Sequence, residues 1–361
     1  MRIEDEKKTI NSCREEISTD QPVKFSSLTL EDIPQISNLL MSVWPVNYGT
    51  MGFPKFDQDY LNWVFGGPNR DRHILFGGKI QNELVAYYSL LYRRIHYSGY
   101  LFDGYIGTHM TILPHLSSQE RFNCLLQMLY NIEKSYLSAN CDFIYEFSEE
   151  KKLFRDVLRN FVERYTKVHV EDAYRFSFSQ FFVQGEELLK YCGENVEAID
   201  ELQVRDALEK DYGAITNLFN NASSAKGEFT RQMTESELRH HFCGHAAHRT
   251  AVIEIHGVIQ GFNNYYPLEI IKDGKARKYI IIEYLILDHI NSNYMTALLK
   301  ETVNYAIQIG AKGVVIENAT YLDLNTYREL GVKPTFRKMV MEIYSKNNVI
   351  SNLDGFRCDV K

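Results

Sequence analysis

One stretch, residues 279–332, constrains the fold more than any other part of the chain. It predicts a strand over Tyr279–Leu287, a loop over Asp288–Tyr294, a helix over Met295–Ile309, a strand over Gly313–Glu317 and a short helix over Leu324–Leu330. The first strand is a nearly unbroken apolar run, which is typical of strands buried in a sheet. Strand, helix and strand of these lengths form a right-handed crossover, so the loop lies at the carboxyl edge of the first strand. Ligands bind at such edges because helix N-terminal amides carry partial positive charge.

Parts of this pattern occur twice in the chain. Asp32 and Ile36 correspond to Asp211 and Ile215 at one common offset, 211 − 32 = 179 residues. Further matches at a slightly smaller offset pair Glu83–Tyr88 with Gly257–Phe262, Phe143–Glu146 with Val314–Glu317, and Phe154-Arg155 with Tyr327-Arg328. A nearly constant offset over well-separated elements favours a duplication, with chance matching as the alternative.

The duplication defines a division of the chain into two similar domains. We assign residues 23–185 to an N-terminal domain and residues 200–347 to a C-terminal domain. A polar connector covers 186–199, and polar tails cover 1–22 and 348–361.

The order of strand, loop, helix, strand and Asn318, followed by the box Asn325–Val332, resembles the core of the GNAT (acyl-CoA N-acyltransferase) superfamily. The resemblance implies an α/β (α+β) protein with two tandem GNAT-like domains. Each would be a mixed, mostly antiparallel sheet, flanked by helices, with a splay between the fourth and fifth strands. In the family, acyl-CoA enters that splay.

The resemblance also implies where a cosubstrate, acetyl-CoA or another acyl-CoA, would bind in the C-terminal half. The fourth-strand backbone would pair with pantetheine, and the next loop and helix N-terminus would hold the pyrophosphate. These positions are Tyr284, Leu285, Ile286, Leu287, Ser292, Asn293, Tyr294, Met295 and Asn318. The family's phosphate-loop glycines are replaced by Asn293 and Met295 here, and by Glu120 and Phe122 in the N-terminal half. Because a carboxylate would repel a pyrophosphate, the C-terminal half is the candidate catalytic half.

Two residues are candidates for proton transfer. In the family, a Tyr at the position of Tyr327 protonates the leaving thiolate, whereas the N-terminal half has Phe154 there. Glu283 on the fourth strand is the candidate base, since partial burial raises the pKa of a carboxyl. The alternatives are a salt-bridged Glu283 and a Tyr327 that only packs.

These features give the leading hypothesis of an N-acyltransferase in which a small-molecule or peptide amine attacks the acyl group of acyl-CoA directly. One alternative is a catalytically silent GNAT scaffold that binds a small ligand or a protein. Another is acyl transfer from a donor other than CoA, such as an aminoacyl-tRNA or a carrier protein.

Composition limits the partners and the compartment. A net charge of −7 and a pI of about 5.9 argue against a nucleic-acid surface. The chain has no apolar run of the roughly 18–20 residues that span a bilayer, and Met1–Gln21 lacks the apolar core of a secretory signal. Its six cysteines are scattered, which is typical of reduced thiols in a cytoplasmic protein. The oligomeric state is open.

Three further segments have distinctive composition. Arg239–Arg249 contains four His and one Cys, but without an HExxH arrangement it favours a helix end over a metal site. Pro45–Pro54 and Phe65–Arg70 are aromatic and glycine-containing, and we interpret both either as loops on the substrate side or as irregular connections stabilised by aromatic packing.

Overall fold

The computed structural model describes residues 23–49, 52–138, 141–149, 159–160, 162–163, 168–181, 202–222, 228–244, 247–288, 291–316, 333–345, 350, 353 and 355–357. The strands of the N-terminal half are β1 (Lys24–Ser27), β2 (Phe53–Pro54), β3 (Ile74–Ile80), β4 (Glu83–Tyr97), β5 (Tyr100–Ile112), β6 (Phe143–Glu149) and β7 (His169–Phe181). Its helices are α1 (Ile33–Tyr48), α2 (Gln58–Phe65) and α3 (Ser118–Ser138).

The C-terminal half repeats this order of elements. Its strands are β8 (Gln203–Asp206), β9 (Glu228–Gln232), β10 (Arg249–Ile255), β11 (Val258–Lys272), β12 (Lys275–Leu287), β13 (Val314–Ile316), β14 (Lys333–Ser345) and β15 (Gly355–Arg357). Its helices are α4 (Tyr212–Asn221), α5 (Glu235–Cys243) and α6 (Ser292–Gln308). The long hairpin strands match in length: β4 and β11 have 15 residues each, and β5 and β12 have 13.

The start of α1 follows the sequence prediction, whereas its end does not. Thr29 and Asp32 form a capping box, and Pro34 lies in the first turn, where its missing N–H costs nothing. The prediction of a loop from Pro45 was wrong, because α1 continues through Pro45 to Tyr48. Trp44, just before Pro45, donates a hydrogen bond to Thr111 on β5, so this last turn is attached to the sheet.

All described strands belong to one 15-stranded sheet. Its path runs β1-β3-β4-β5-β6-β14-β7-β13-β12-β11-β10-β8. The path crosses between the halves three times, because β14 inserts between β6 and β7 while β7 also pairs with β13. The last long strand of each half, β7 or β14, therefore pairs with strands of the other half.

Two smaller pairings repeat this exchange. Strand β2 of the N-terminal half pairs with the far end of β11, and β9 of the C-terminal half pairs with the far end of β4. The segments that precede α2 and α5 thus each rest on a long strand of the opposite half, which brings α2 and α5 close together.

The splay implied by the resemblance is present in both halves. Among the described residues, β5 and β6 pair in parallel over Gly104–Ile106, and β12 and β13 over Ile280–Ile282. Beyond these residues β12 continues to Leu287, paired with β11 on its other edge. Its apolar run is buried on both faces, as the sequence predicts: Leu285 packs with the α6 side and Ile286 with the α4 side.

The described helices include no segment that is long and apolar enough to span a bilayer.

Candidate functional site

A β-bulge in β12 determines where Glu283 points. Asn264 of β11 faces Tyr284 while the next residue, Tyr265, faces Ile282, so Glu283 is the extra residue on β12. A bulge of this kind interrupts the alternation of side chains along a strand. As a result Glu283 and Tyr284, although adjacent, both lie toward α4 and α5, where Tyr284 packs against Phe219 of α4 and Phe242 of α5.

Glu283 lies next to a histidine that our sequence analysis did not select. His241 Nε2 is 2.8 Å from Glu283 Oε1, and the side chain of Glu283 is fully buried. His241 is on the last turn of α5, where a helix C-terminus favours a protonated imidazole. A carboxylate this close to a ring nitrogen stabilises the protonated form of the imidazole. The pair is therefore equipped to accept a proton in a site from which water is largely excluded.

The imidazole of His241 also lines a cavity between the two halves. This cavity, which is open to solvent, lies between the end of α2 and α5, with further walls from β4 and β9. Gly66, Pro68 and Asn69 contribute to it, so the loop predicted at Phe65–Arg70 does border a cavity. Gly67 has φ +88, and a Cβ there would overlap the ring of His240, which explains the glycine.

The predicted cofactor positions on β12 are core residues whose side chains are buried. Tyr284, Leu285, Ile286 and Leu287 are all buried, and they alternate between the two sides of the sheet. Only their backbone could therefore meet a ligand. This arrangement fits the pantetheine contact that the resemblance implies.

The predicted phosphate-binding positions lie at the start of α6, at the same end of β12. Asn291 caps the helix by accepting hydrogen bonds from the N–H groups of Asn293 and Tyr294, and Ser292 is the first helical residue. Met295 is buried in the core of the C-terminal half, so its bulk is directed away from the loop.

The matching helix α3 is capped differently. Ser117 and Glu120 form a capping box, in which the Glu120 carboxylate accepts from the Ser117 N–H. A negative charge thus lies at the N-terminus of α3, where the resemblance implies a pyrophosphate. Asn318 and Tyr327 lie outside the described residues, and with them the predicted acid.

In the described residues, the side chains of the His/Cys-rich segment Arg239–Arg249 do not converge on one point. Within them, no group of three or more His, Cys, Asp or Glu is arranged to hold a metal. His240 contacts the carbonyl of Trp63, Cys243 contacts the hydroxyl of Tyr212, and His248 packs on Trp63. The prediction that α5 ends here and a strand follows is confirmed, since α5 ends at Cys243 and β10 begins at Arg249.

The N-terminal half has a bulge at the matching place in β5. The register shift there leaves His109 as the extra residue, with φ +60. Its ring is buried among Trp44, Phe56 and Phe65, and this burial lowers the pKa of His109 to about 4. An uncharged, enclosed imidazole replaces the carboxylate–imidazole pair of the other half.

A second cleft, which sequence reasoning missed, fills the splay of the N-terminal half. It is mainly apolar and lies between β5, β6 and α3. Glu146 projects into it and accepts a hydrogen bond from the Tyr88 hydroxyl, while Gly107 leaves the room for both. Glu342 of β14 lies directly across the strand pair from Glu146. Burial, with the nearby Glu342 carboxylate adding to it, raises the pKa of Glu146 to about 7.

The raised pKa makes stability depend on pH. The folded protein binds the Glu146 proton more tightly than the unfolded chain does, so stability is lost as pH rises from about 4.5 through about 7. As the pH rises from about 5 to about 8.5, the wild-type protein should lose up to about 3 kcal/mol of unfolding free energy relative to the Glu146→Gln variant. Urea unfolding at both values measures this loss. Glu342→Gln should reduce the pH dependence of the otherwise wild-type protein, and an equal effect of Glu146→Gln at both pH values would contradict the assignment.

Comparison with known proteins gives structural matches only. No protein-family model and no curated protein matches the sequence. The fold is similar to N-myristoyltransferase from Saccharomyces cerevisiae with bound myristoyl-CoA and inhibitors, at TM-score 0.67 and 14% identity over 96% of this chain and 87% of that one. It is also similar to a tandem GNAT protein from the clavulanic acid biosynthesis pathway, at TM-score 0.63 and 10% identity over 90% and 99%. A probable N-acyltransferase from Enterococcus faecalis matches at TM-score 0.54 and 10% identity over 90% and 72%.

These matches confirm the tandem GNAT-type fold predicted from the sequence. At such low identity these matches show the fold alone, so any inference about the chemistry must come from the residues described above.

Proposed function

We propose that the protein transfers an acyl group from an acyl-CoA to an amine. The observation that carries this proposal is the buried His241–Glu283 pair, which is placed by a bulge of β12 and whose His241 lines a cavity between the two halves. Similar folds include an enzyme with bound myristoyl-CoA, which supports an acyl-CoA donor. We further propose that residues 23–185 and 200–347 are the two repeats and that the second repeat carries the chemistry.

In this proposal the amine lies in the cavity and the donor lies at the splay of the C-terminal half. The amine nitrogen attacks the thioester carbonyl, forming a C–N bond, and the C–S bond breaks. His241, held by Glu283, accepts the proton that the nitrogen loses. Glu283 then acts through His241, so the predicted base has a positioning role. The leaving thiolate takes a proton from Tyr327, the acid that the family resemblance implies.

The donor would be held by backbone and helix terminus. The backbone of β12 at Tyr284–Leu287 would offer peptide groups to the pantetheine amides. The N-terminus of α6 at Ser292–Met295, capped by the neutral Asn291, offers partial positive charge to the pyrophosphate. The assignment of Asn318 to the donor site is implied by the family resemblance alone. Acetyl-CoA is the simplest donor.

A matched pair of variants tests the donor site. Asn293 of α6 and Gln119 of α3 occupy the same position, the second helical residue. Asn293→Glu adds a negative charge that a helix N-terminus tolerates but that repels a pyrophosphate, so we expect the affinity for acetyl-CoA to fall about 10-fold or more. Gln119→Glu should leave it unchanged. Calorimetric titration with acetyl-CoA, and with a longer acyl-CoA, measures both.

The outcomes separate the possibilities. Loss of affinity only in Gln119→Glu would place the donor in the N-terminal half. No binding of any acyl-CoA by the wild-type protein would overturn the proposal.

A silent scaffold remains the alternative function, and one observation favours it. Both helix N-termini are capped by side chains of the chain itself, Asn291 in one half and Ser117 with Glu120 in the other. Such caps compete with an anionic ligand for the same N–H groups. The titration decides this question as well.

A further inference from the structure

The end of the hairpin formed by β11 and β12 carries a concentration of positive charge in a chain whose net charge is −7. Residues 272–278 are all exposed and contain one carboxylate, Asp273. They also contain four cations, which we call the basic tip: Lys272, Lys275, Arg277 and Lys278. Among the residues that the structure describes, none of these four cations forms an ion pair. Glu269, which lies opposite Lys278 on the hairpin, is held by Lys55 at 2.7 Å instead.

Three cations of the basic tip lie on one face of the hairpin. Lys272 and Lys275 are directly opposite each other, and Arg277 is two residues further along β12, so their side chains share that face. Like charges directly opposite each other on neighbouring strands are destabilising. The matching hairpin of the N-terminal half has Tyr97 opposite Tyr100 at this place, so a hairpin of this kind does not need the charges. An anionic partner would offset the repulsion.

The charged face of the hairpin continues toward the cavity that His241 lines. Tyr266 and Leu268 alternate along β11 and lie on the same face as Lys272. Both line a cleft, open to solvent, that runs beside α2. Trp63 of α2 lines this cleft and also the cavity, so the two are neighbours.

The length of this path suits a peptide. The ring of Trp63 lies 5.6 Å from that of His241 and 5.2 Å from that of Tyr266, measured between ring centroids. From Tyr266 to Lys272 the strand advances about 20 Å, at roughly 3.3 Å per residue. The whole path of roughly 30 Å is spanned by about nine residues of extended chain.

The setting of the basic tip favours an acidic polypeptide over other anions. Nucleic acids bind through many phosphate contacts, and the negative charge of the whole protein opposes a long polyanion. A membrane surface would meet the tip alone and leave the cleft unused. An extended peptide can place its acidic side chains at the tip and its uncharged part along Tyr266 and Leu268.

We propose that the acceptor is a polypeptide with an acidic segment that docks on Lys272, Lys275 and Arg277, while its amine, about nine residues away, lies near His241. This proposal rests on the proposed acyl transfer and names the substrate class. Exposed ion pairs are individually weak, so the basic tip would select substrates through several of them acting together.

Three matched peptides test this substrate class. Each is about twelve residues long and has a free amine at its N-terminus. One has three Asp residues about nine positions from the amine, one has them directly after the amine, and one has Asn in their place. Acetyl-CoA is the donor, and the released thiol is measured. We expect the peptide with distant Asp residues to have a KM roughly 10-fold below that of the other two, and added salt should reduce this difference.

Charge reversal locates the effect. In the double variant Lys272→Glu with Lys275→Glu, the preference for distant Asp residues should disappear, and a peptide with Lys at the same places should become the better substrate. The matched control is Lys24→Glu with Lys210→Glu, which changes the same amount of charge at two exposed positions, on β1 and just before α4. It should keep the preference for distant Asp residues. Thermal unfolding checks that both double variants are folded.

Two readouts keep this proposal separate from the proposed function. Fluorescence anisotropy with labelled peptides whose amine is blocked measures docking without chemistry. Docking that needs Lys272 and Lys275, in a protein that releases no thiol with any peptide, would support the docking surface and refute acyl transfer. Equal KM for the Asp and Asn peptides, unchanged by the charge reversal, would refute the docking surface and leave acyl transfer standing.

Two further results would overturn the choice of partner. A preference for Asp residues directly after the amine would contradict the path along the cleft. Binding of a single-stranded oligonucleotide or of phosphatidylserine vesicles, lost in Lys272→Glu with Lys275→Glu and without any preference among the peptides, would assign the basic tip to a nucleic acid or a membrane instead.

Discussion

Replacing His241 by Gln should lower kcat for acyl transfer by about 100-fold or more, with little change in KM for acyl-CoA. The expected size is that of a lost general base, typically 10²- to 10⁴-fold. Gln fills similar space and keeps a hydrogen-bond donor near Glu283 Oε1, so the buried carboxylate stays solvated by the protein. Initial rates of thiol release at saturating acetyl-CoA measure the effect, and thermal unfolding checks that the variant is folded.

Two controls separate catalysis from packing. His240→Gln changes the neighbouring histidine, which lines the same cavity but contacts the carbonyl of Trp63, and it should retain most of the activity. In His241→Ala, added imidazole should restore part of the rate, because the small ring can occupy the vacated space beside the cavity. A His241→Gln enzyme with wild-type kcat, or a His241→Ala enzyme that imidazole leaves unchanged, would show that His241 has no part in proton transfer.

Sequence reasoning reached Glu283 but missed His241, for a physical reason. A Glu inside an apolar run is anomalous in any strand, so its position alone indicates a special environment. Its partner lies on α5, 42 residues earlier (283 − 241), among several histidines of similar local context. Only the bulge at Glu283 and the packing of α5 on the sheet single out His241. A carboxylate buried in a strand should therefore direct attention to every His on a helix that covers that strand.

The second cleft was missed because its walls come from distant segments. In the sequence, Glu146 looks like an ordinary polar residue of the alternating pattern of β6, and Glu342 looks like one of β14. Their opposition across the strand pair depends on β14 entering the N-terminal half. A duplication in the sequence predicts two similar units, but it cannot tell whether each unit keeps its own last strand, because both arrangements satisfy the same pattern of buried residues.

That exchange leads to the prediction with the largest effect on stability. Separately expressed halves, 1–190 and 191–361, should each fail to fold cooperatively. Without β14, the N-terminal half would leave a gap between β6 and β7, and the C-terminal half would lose the β7 strand that pairs with both β13 and β14. Unpaired central edges expose main-chain donors and acceptors together with buried apolar side chains. The loss would amount to the whole stability of the domain, about 5–15 kcal/mol.

Mixing the two purified fragments provides the control. The cut falls in the connector predicted at 186–199, so every described strand remains intact in one fragment or the other. Because the missing strands are present in the partner fragment, the mixture should regain a cooperative thermal transition and elute as a one-to-one complex. Circular dichroism and size-exclusion chromatography measure both. A sharp transition in either fragment alone would mean that each half folds by closing its own sheet, and the shared sheet would then not be a condition of folding.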